Sequence, residues 1–494
     1  MAKKRKPKAK STKALKSATS KVAGSKTTTK SAPKPATKST TKSAKVTEKK
    51  SAAPVEPAVG PSGHSGLSPD FRKVILPNGI RVLTESHPVS RAVSCGIWIN
   101  KGTRDEARDE AGLAHFIEHM LFKRTKTRSA YQVSRTMDAV GGDLNAFTSR
   151  EYTCFVTQSL KEHLDLSLEL LSDLVCNPSF NSADIKKEKQ VVIQEIHMSE
   201  DMLEDFIFDT YFDMVYDGSP LGTPILGSVK SIEGMRREKV TGFHKRQYTS
   251  PNIVVSVAGN VDHEEVLNLV LKYLKPPRLS TSVNRKDVIG GIRERPKPKS
   301  FREVIRKPSE QAHMLIGFPA PDFTSPQRFD GVVVNTLLGG GMTSRLYQTV
   351  REEKGLVYSI YSQLITFTDA GLNLIYAGTE AKKMPQVIDL TLKEIKKLQK
   401  NGVKRADLDL FKTQVKGQIL LSADDIDNRM NSLAINEMVF GQYRSMEDVI
   451  ADVERVNLDS VHEYIETSFN FDDMSILLMG PLPEAPTKKW LNSL

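Results

Sequence analysis

The chain has 494 residues, and its 71 Lys and Arg against 59 Asp and Glu give a formal net charge of +12. No apolar run approaches the 18 or more residues of a membrane helix, so no membrane partner is expected. The three cysteines, Cys95, Cys154 and Cys176, are odd in number and scattered, which excludes a disulfide framework and suits a reducing compartment.

The positive charge is concentrated at the start. Residues 1 to 52 carry 16 Lys, one Arg and a single acid, Glu48, so the remainder of the chain is close to −4. This segment of Lys, Ser, Thr, Ala and Pro has almost nothing to bury, and disorder is expected to about residue 68. It lacks the apolar core of a secretory signal, so a cytoplasmic location is expected, with an organellar matrix as the alternative. The lysines suit weak contact of residues 1–52 with nucleic acid or another acidic polymer, and a solvated tail without a partner is the competing reading.

The remaining 425 or so residues exceed what one hydrophobic core usually supports, and they predict two domains. Phe71-Arg72-Lys73-Val74-Ile75 opens the first half, and Leu76-Pro77-Asn78-Gly79 follows it. A helix from about Leu113 to Phe122 is apolar nearly all round, yet it carries His115, Glu118 and His119. Histidines four apart share one face of a helix, so both imidazoles can grip a single ion. Glu118, three residues from His115, can reach a water held on that ion. Zinc suits this set, and the order His-x-x-Glu-His is the inverted form of the commoner zinc-peptidase motif. The plain alternative is a pair of core histidines bonded to backbone.

Asn145 to Gln158 reads as paired strands. A helix over Asp184–Met198 places Glu188 and Glu195 seven apart on one face, with no Lys or Arg at helical spacing from either. Unpartnered carboxylates on an apolar stripe need a positive group from elsewhere, and a metal ion or an inter-element salt bridge would supply it. Ile253–Gly259 reads as an apolar strand closing the first half, and Arg278–Pro308 as a linker.

The second half echoes the first. Phe301-Arg302-Glu303-Val304-Ile305 repeats its opening, Tyr358 to Gly378 its paired strands, and Met474–Gly480 its closing strand. Gly339-Gly340-Gly341 lacks the ending of a phosphate loop and reads as a turn before a helix starting near Thr343. No His-Glu-His set recurs. The fold class expected is α+β, two homologous α/β-sandwich repeats whose mostly antiparallel sheets carry helices on one face. The domains expected are 69–277 and 309–494.

His115-x-x-Glu118-His119, with Glu195 following 76 residues after the second His, resembles the pitrilysin, insulinase and mitochondrial processing peptidase family. Gly102-Thr103-Arg104-Asp105-Glu106, Gly112-Leu113-Ala114, Gly141-Gly142 and Asn145-Ala146-Phe147-Thr148 agree with it, and the likeness covers roughly residues 69 to 485. The resemblance implies one Zn2+ per chain on His115, His119 and Glu195, with Glu118 as general base and Glu188 orienting the site. It implies an endopeptidase of unfolded peptides, seated along an edge strand at Asn145 and Ala146. It also points to Arg351 and Tyr358 as donors to a developing oxyanion. Because one chain holds both sets, a homodimer is expected, with a heterodimer with a related chain as the alternative. A non-catalytic scaffold subunit is the competing function.

Overall fold

The fold is that of a computed structural model, which describes residues 70–276 and 295–494. The basic segment to residue 68, and the expected linker up to residue 294, lie outside the described residues.

Among the described residues, eleven strands form two sheets. The first holds β1 (Asp70–Ile75), β2 (Arg81–Ser86), β3 (Ala92–Ile99), β4 (Asp143–Thr148), β5 (Thr153–Leu160) and β6 (Ile253–Gly259), in the order β1-β2-β6-β3-β5-β4. The second holds β7 (Arg302–Arg306), β8 (Ala312–Pro319), β9 (Ser359–Thr366), β10 (Gly371–Thr379) and β11 (Ser475–Gly480), in the order β7-β11-β8-β10-β9. Only β2 with β6 and β7 with β11 run parallel; the other pairs are antiparallel. The two sheets therefore share one topology, and the fold is the α+β duplication expected.

Two details differ from the sequence reading. The stretch read as linker to Pro308 contains β7, a strand of the second sheet. The echo at Phe71 and Phe301 also joins strands that are not equivalent. β7 runs parallel to β11 as β2 does to β6, so β7 corresponds to β2, and β1 is an extra strand at the edge. A five-residue alternation fits any outer strand, so it does not fix which one.

The helices of the first half are α1 (Leu113–Lys123), α2 (Ala130–Asp138), α3 (Leu164–Cys176), α4 (Ser182–Asp201), α5 (Leu203–Val215), α6 (Val229–Glu233), α7 (Arg237–Gln247) and α8 (His263–Tyr273). Those of the second are α9 (Arg328–Gly339), α10 (Met384–Asn401), α11 (Arg405–Ala423), α12 (Ile426–Phe440), α13 (Met446–Arg455), α14 (Leu458–Ser468) and α15 (Glu484–Leu491).

Strand alternation sends Val93, Cys95, Ile97 and Ile99 of β3 to one face, where they meet Phe116, Leu168 and Val266 of the half's own helices. The opposite face does not meet solvent. Leu83, Trp98, Val254 and Ala258 pack against Met430, Leu433, Ala434 and Met438 of α12, a helix of the other half. The second sheet is treated reciprocally, with Leu315, Leu374 and Leu477 covered by Leu203, Ile207, Tyr211 and Phe212 of α5. Each half thus lends the other a helix. Burial of such side chains is worth roughly 1.5–3 kcal/mol each, so the exchange binds the halves strongly.

Where a lent helix crosses, each sheet offers a glycine opposite a serine: Gly96 with Ser256, and Gly317 with Ser475. A Cβ on Gly96 would stand 2.6 Å from Met430 Sδ, and one on Gly317 would stand 1.8 Å from Tyr211 Oη. Ser256 Oγ donates to the Met430 carbonyl at 2.6 Å, and Ser475 Oγ lies 2.6 Å from Tyr211 Oη. Ion pairs reinforce the exchange. Glu85 of β2, fully buried, receives both Arg429 Nε (2.7 Å) and Nη2 (2.6 Å) from α12.

Candidate active site

Helix α1 carries His115, Glu118 and His119 on its half-buried side, while Leu113, Phe116, Ile117, Met120 and Leu121 are fully buried against the sheet. Its start is fixed by two residues. Gly112 has φ of +84°, and any Cβ there would meet the Leu226 carbonyl at 2.6 Å. The Glu106 carboxylate accepts from the Gly112 N–H at 2.9 Å and the Ala114 N–H at 2.6 Å, capping a buried helix end.

Helix α4 packs beside α1 and brings two carboxylates. Asn181 caps it, its Oδ1 accepting from the Ala183 N–H at 2.8 Å. Buried Ile185, Val192 and Ile196 turn the opposite positions outward. Buried Glu188 places Oε1 2.8 Å from His119 Nδ1 and Oε2 2.8 Å from Lys123 Nζ. The positive partner that helix spacing denies Glu188 therefore arrives from α1. Glu195 Oε2 lies 3.6 Å from His119 Nε2.

His115, His119 and Glu195 each direct one ligand atom into a cluster in which all lie within 4.8 Å of one another. Among the described residues it is the only such cluster of three or more His, Cys, Asp or Glu. His115 is not satisfied as a core histidine would be, because its buried Nδ1 has no hydrogen-bond partner. Burial, with the neighbouring His119, lowers the His115 pKa to about 4, so the ring is neutral and able to give a lone pair. Burial also disfavours charge on His119, but Glu188, Glu195 and Glu118 outweigh it and raise its value. The Glu188 carboxyl is held low: His119 and Lys123 overcome the effect of burial. Two imidazoles and one carboxylate are a donor set that suits a catalytic zinc ion.

Glu118 stands beside this cluster, and burial raises its carboxyl above the ordinary value. Its Oε2 accepts from Thr148 Oγ1 at 2.5 Å. Thr148 ends β4, the open edge of the first sheet. Ser149 N–H donates to the Tyr152 carbonyl, so odd-numbered residues here pair with β5. Leu144, Ala146 and Thr148 therefore turn their backbone groups toward the free edge. The Ala146 N–H bonds instead to Asn145 Oδ1 at 2.8 Å, a local contact that an incoming carbonyl could replace. The corresponding strand of the other sheet, β9, is tied to α9 at Ser362, whose Oγ donates to the Asn335 carbonyl at 3.0 Å.

Arg351 and Tyr358 come together in the second half, with the guanidinium 5.3 Å from the phenol ring and 4.7 Å from that of Tyr347. Tyr358 is 80% exposed, and among the described residues the contacts of the Arg351 side chain are with the Tyr347 and Tyr358 rings and not with Glu352 or Glu353. Within this chain the pair makes no hydrogen bond to His115, Glu118, His119 or Glu195.

Three residues of the site have no role in the sequence reading: Thr148, Lys123 and Glu106. Lys123 was findable, since it lies four residues after His119 on the same helical face. Strand alternation puts Thr148 on the face shared with Ala146, but nothing in the sequence says that α1 lies beneath it. Glu106 caps through a loop and leaves no periodic signal.

Residues 81–229 match the family model described as insulinase (peptidase family M16), and residues 234–415 the model described as peptidase M16 inactive domain. A Bacillus subtilis protein named "uncharacterized zinc protease YmxG" is 34% identical over 417 residues, covering 84% of this chain and 100% of its own. A Mycobacterium tuberculosis protein named "uncharacterized zinc protease Rv2782c" is 35% identical, covering 83% of this chain and 91% of its own. Among solved structures, a protease from Helicobacter pylori superposes with a TM-score of 0.75 at 21% identity, over 84% of this chain and 100% of its own. A Pseudomonas fluorescens structure described as a peptidase M16 inactive domain also reaches 0.75, at 19% identity, over 84% of this chain and 98% of its own.

Proposed function

Since the chain belongs to the insulinase family, peptidase family M16, we propose that it is a zinc-dependent endopeptidase of unfolded peptides. The observation that carries this is the convergence of His115, His119 and Glu195 within 4.8 Å, beside a half-buried Glu118. Zinc, when bound, supplies a Lewis acid that makes water nucleophilic near neutral pH.

The chain's own residues do the rest. Glu188 fixes the orientation of His119, and Lys123 holds Glu188. Glu118 takes a proton from the attacking water on the oxygen that Thr148 leaves free, then passes it to the leaving amine. An extended peptide adds to β4 at Ala146, read through its backbone rather than its side chains. Arg351 and Tyr358 donate to the oxyanion from a second copy of the chain, so the active form is a homodimer with one Zn2+ per chain.

The zinc protease names of the relatives support this reading. The second half lacks a His-Glu-His set, which leaves metal binding to the first. A scaffold subunit, tethered to nucleic acid through residues 1–52, is the alternative. Purified protein should contain one zinc per chain and cleave denatured casein, and should lose that cleavage with chelator and regain it with zinc. A chain that binds no zinc and cleaves nothing is the scaffold.

A further inference from the structure

We infer that Thr148 is a positioning residue that couples the seating of the substrate to the aim of the general base. The inference rests on the peptidase reading for its kinetic consequence, but its geometry stands apart. Thr148 is the only residue, among those described, that donates a hydrogen bond to Glu118, at 2.5 Å. A half-buried carboxylate with one donor has one fixed direction; without that donor its χ angles are free to turn.

Two different parts of Thr148 face two different things. Its side chain lies on the face of β4 shared with Leu144 and Ala146, both packed against the helical core. Its backbone N–H and C=O point to the open edge, because the odd-numbered residues hold the pairing with β5. A peptide added to that edge meets the main chain of the residue whose hydroxyl aims Glu118. Binding and base alignment therefore share one residue.

The turn that follows is clamped from both halves, so Thr148 cannot drift. The Thr103 N–H donates to the Ser149 carbonyl at 3.2 Å, and the Arg104 N–H to that of Arg150 at 2.9 Å. Arg104 Nη1 reaches Glu151 and Asp369, each at 2.7 Å, and the Thr368 hydroxyl donates to Glu151 at 2.6 Å. Thr368 and Asp369 lie in the β9–β10 turn of the second half. A shift of even 1 Å in such a support is enough to cost rate, and the anchoring is what prevents it.

The test compares Thr148→Val, which keeps shape and removes the hydroxyl, with Thr148→Ser, which keeps the hydroxyl; Thr148→Ala is a second deletion should Val not fold. With full-length protein and a cleavable reporter peptide, Val or Ala should lower kcat about ten- to a hundredfold, with KM within about threefold of wild type. Zinc content should be unchanged, and Ser should restore kcat to within a few-fold. Crystal structures supply a readout that needs no activity: the Glu118 carboxylate should turn or split in the Val or Ala variant and stay in place in Ser. A deletion variant with wild-type kcat, a loss confined to KM, a Ser variant as slow as Val, or an unmoved Glu118 would each overturn the inference. If the wild type cleaves no peptide, the peptidase reading fails, and the position of Glu118 in the variant structures still decides whether Thr148 aims it.

Discussion

Glu188 Oε1 lies 2.8 Å from His119 Nδ1, and this contact turns the other ring nitrogen toward Glu195. A carboxylate behind a histidine sets its tautomer and its direction, and Lys123, 2.8 Å from the second oxygen, sets the carboxylate in turn. The three residues form a chain of fixed orientations that ends at the cluster of His115, His119 and Glu195.

From this follows an ordering of zinc affinities. In the proposed zinc site Glu195→Gln removes a ligand, whereas Glu188→Gln removes only a support worth about ten- to a hundredfold in affinity. After exhaustive dialysis, the Glu195 variant should retain less zinc than the Glu188 variant. Equal retention would contradict the assignment.

The exchange of helices between halves should respond unequally to crowding. Gly317→Ala drives a methyl into the Tyr211 phenol, which is fully buried and bonded to Ser475. Gly96→Ala meets the adaptable sulfur end of Met430 at 2.6 Å and the Trp98 indole at 2.7 Å, a milder approach than the 1.8 Å at Tyr211. Denaturant unfolding should find Gly317→Ala the more destabilised of the two, within the roughly 1–3 kcal/mol typical of overpacking.

Glu85 and Arg429 join the halves out of water, so Arg429→Met should destabilise the fold by up to about 3–5 kcal/mol, less whatever His87 and Tyr443, which also bond Glu85, make good. The pair also predicts a pH effect. Burial raises the Glu85 carboxyl, but His87 and Arg429 outweigh it and hold the folded value below the ordinary 4.5. A depressed carboxyl stabilises the fold above its unfolded value and loses that contribution as pH falls through the folded one. Wild type should therefore lose stability steeply on acidification below about pH 4.5, and the Glu85→Gln variant, weaker at neutral pH, should lose less.

The dimer proposal is tested by mixing. Glu118→Gln and Arg351→Ala should each be poorly active alone. After subunit exchange they should regain activity, because one hybrid site pairs an intact zinc half with intact donors. No recovery in demonstrably exchanged dimers would mean that Arg351 acts within its own chain or not at all.

Much of this was legible in the sequence. The spacing of His115 and His119 on an apolar helix, and of Glu188 and Glu195 on another, singled out the four residues that the fold brings side by side. The buried strands Ile253–Gly259 and Ser475–Gly480 were equally plain as apolar runs ending in glycine. The exchanged helices were not. Leu203, Ile207, Tyr211 and Phe212 show a helical period, but periodicity names the buried face of a helix and not the sheet that covers it. For the same reason Thr148 and Lys123 gained their roles only when α1, α4 and β4 were placed side by side.

The most direct test of the account is Glu118→Gln, measured for zinc content and for peptide turnover on the same preparation. The amide keeps the shape of the side chain but cannot take the proton. The account predicts full zinc occupancy, wild-type stability and turnover lower by about a hundred- to ten-thousandfold. Near-normal turnover in a zinc-loaded Glu118→Gln protein would contradict it.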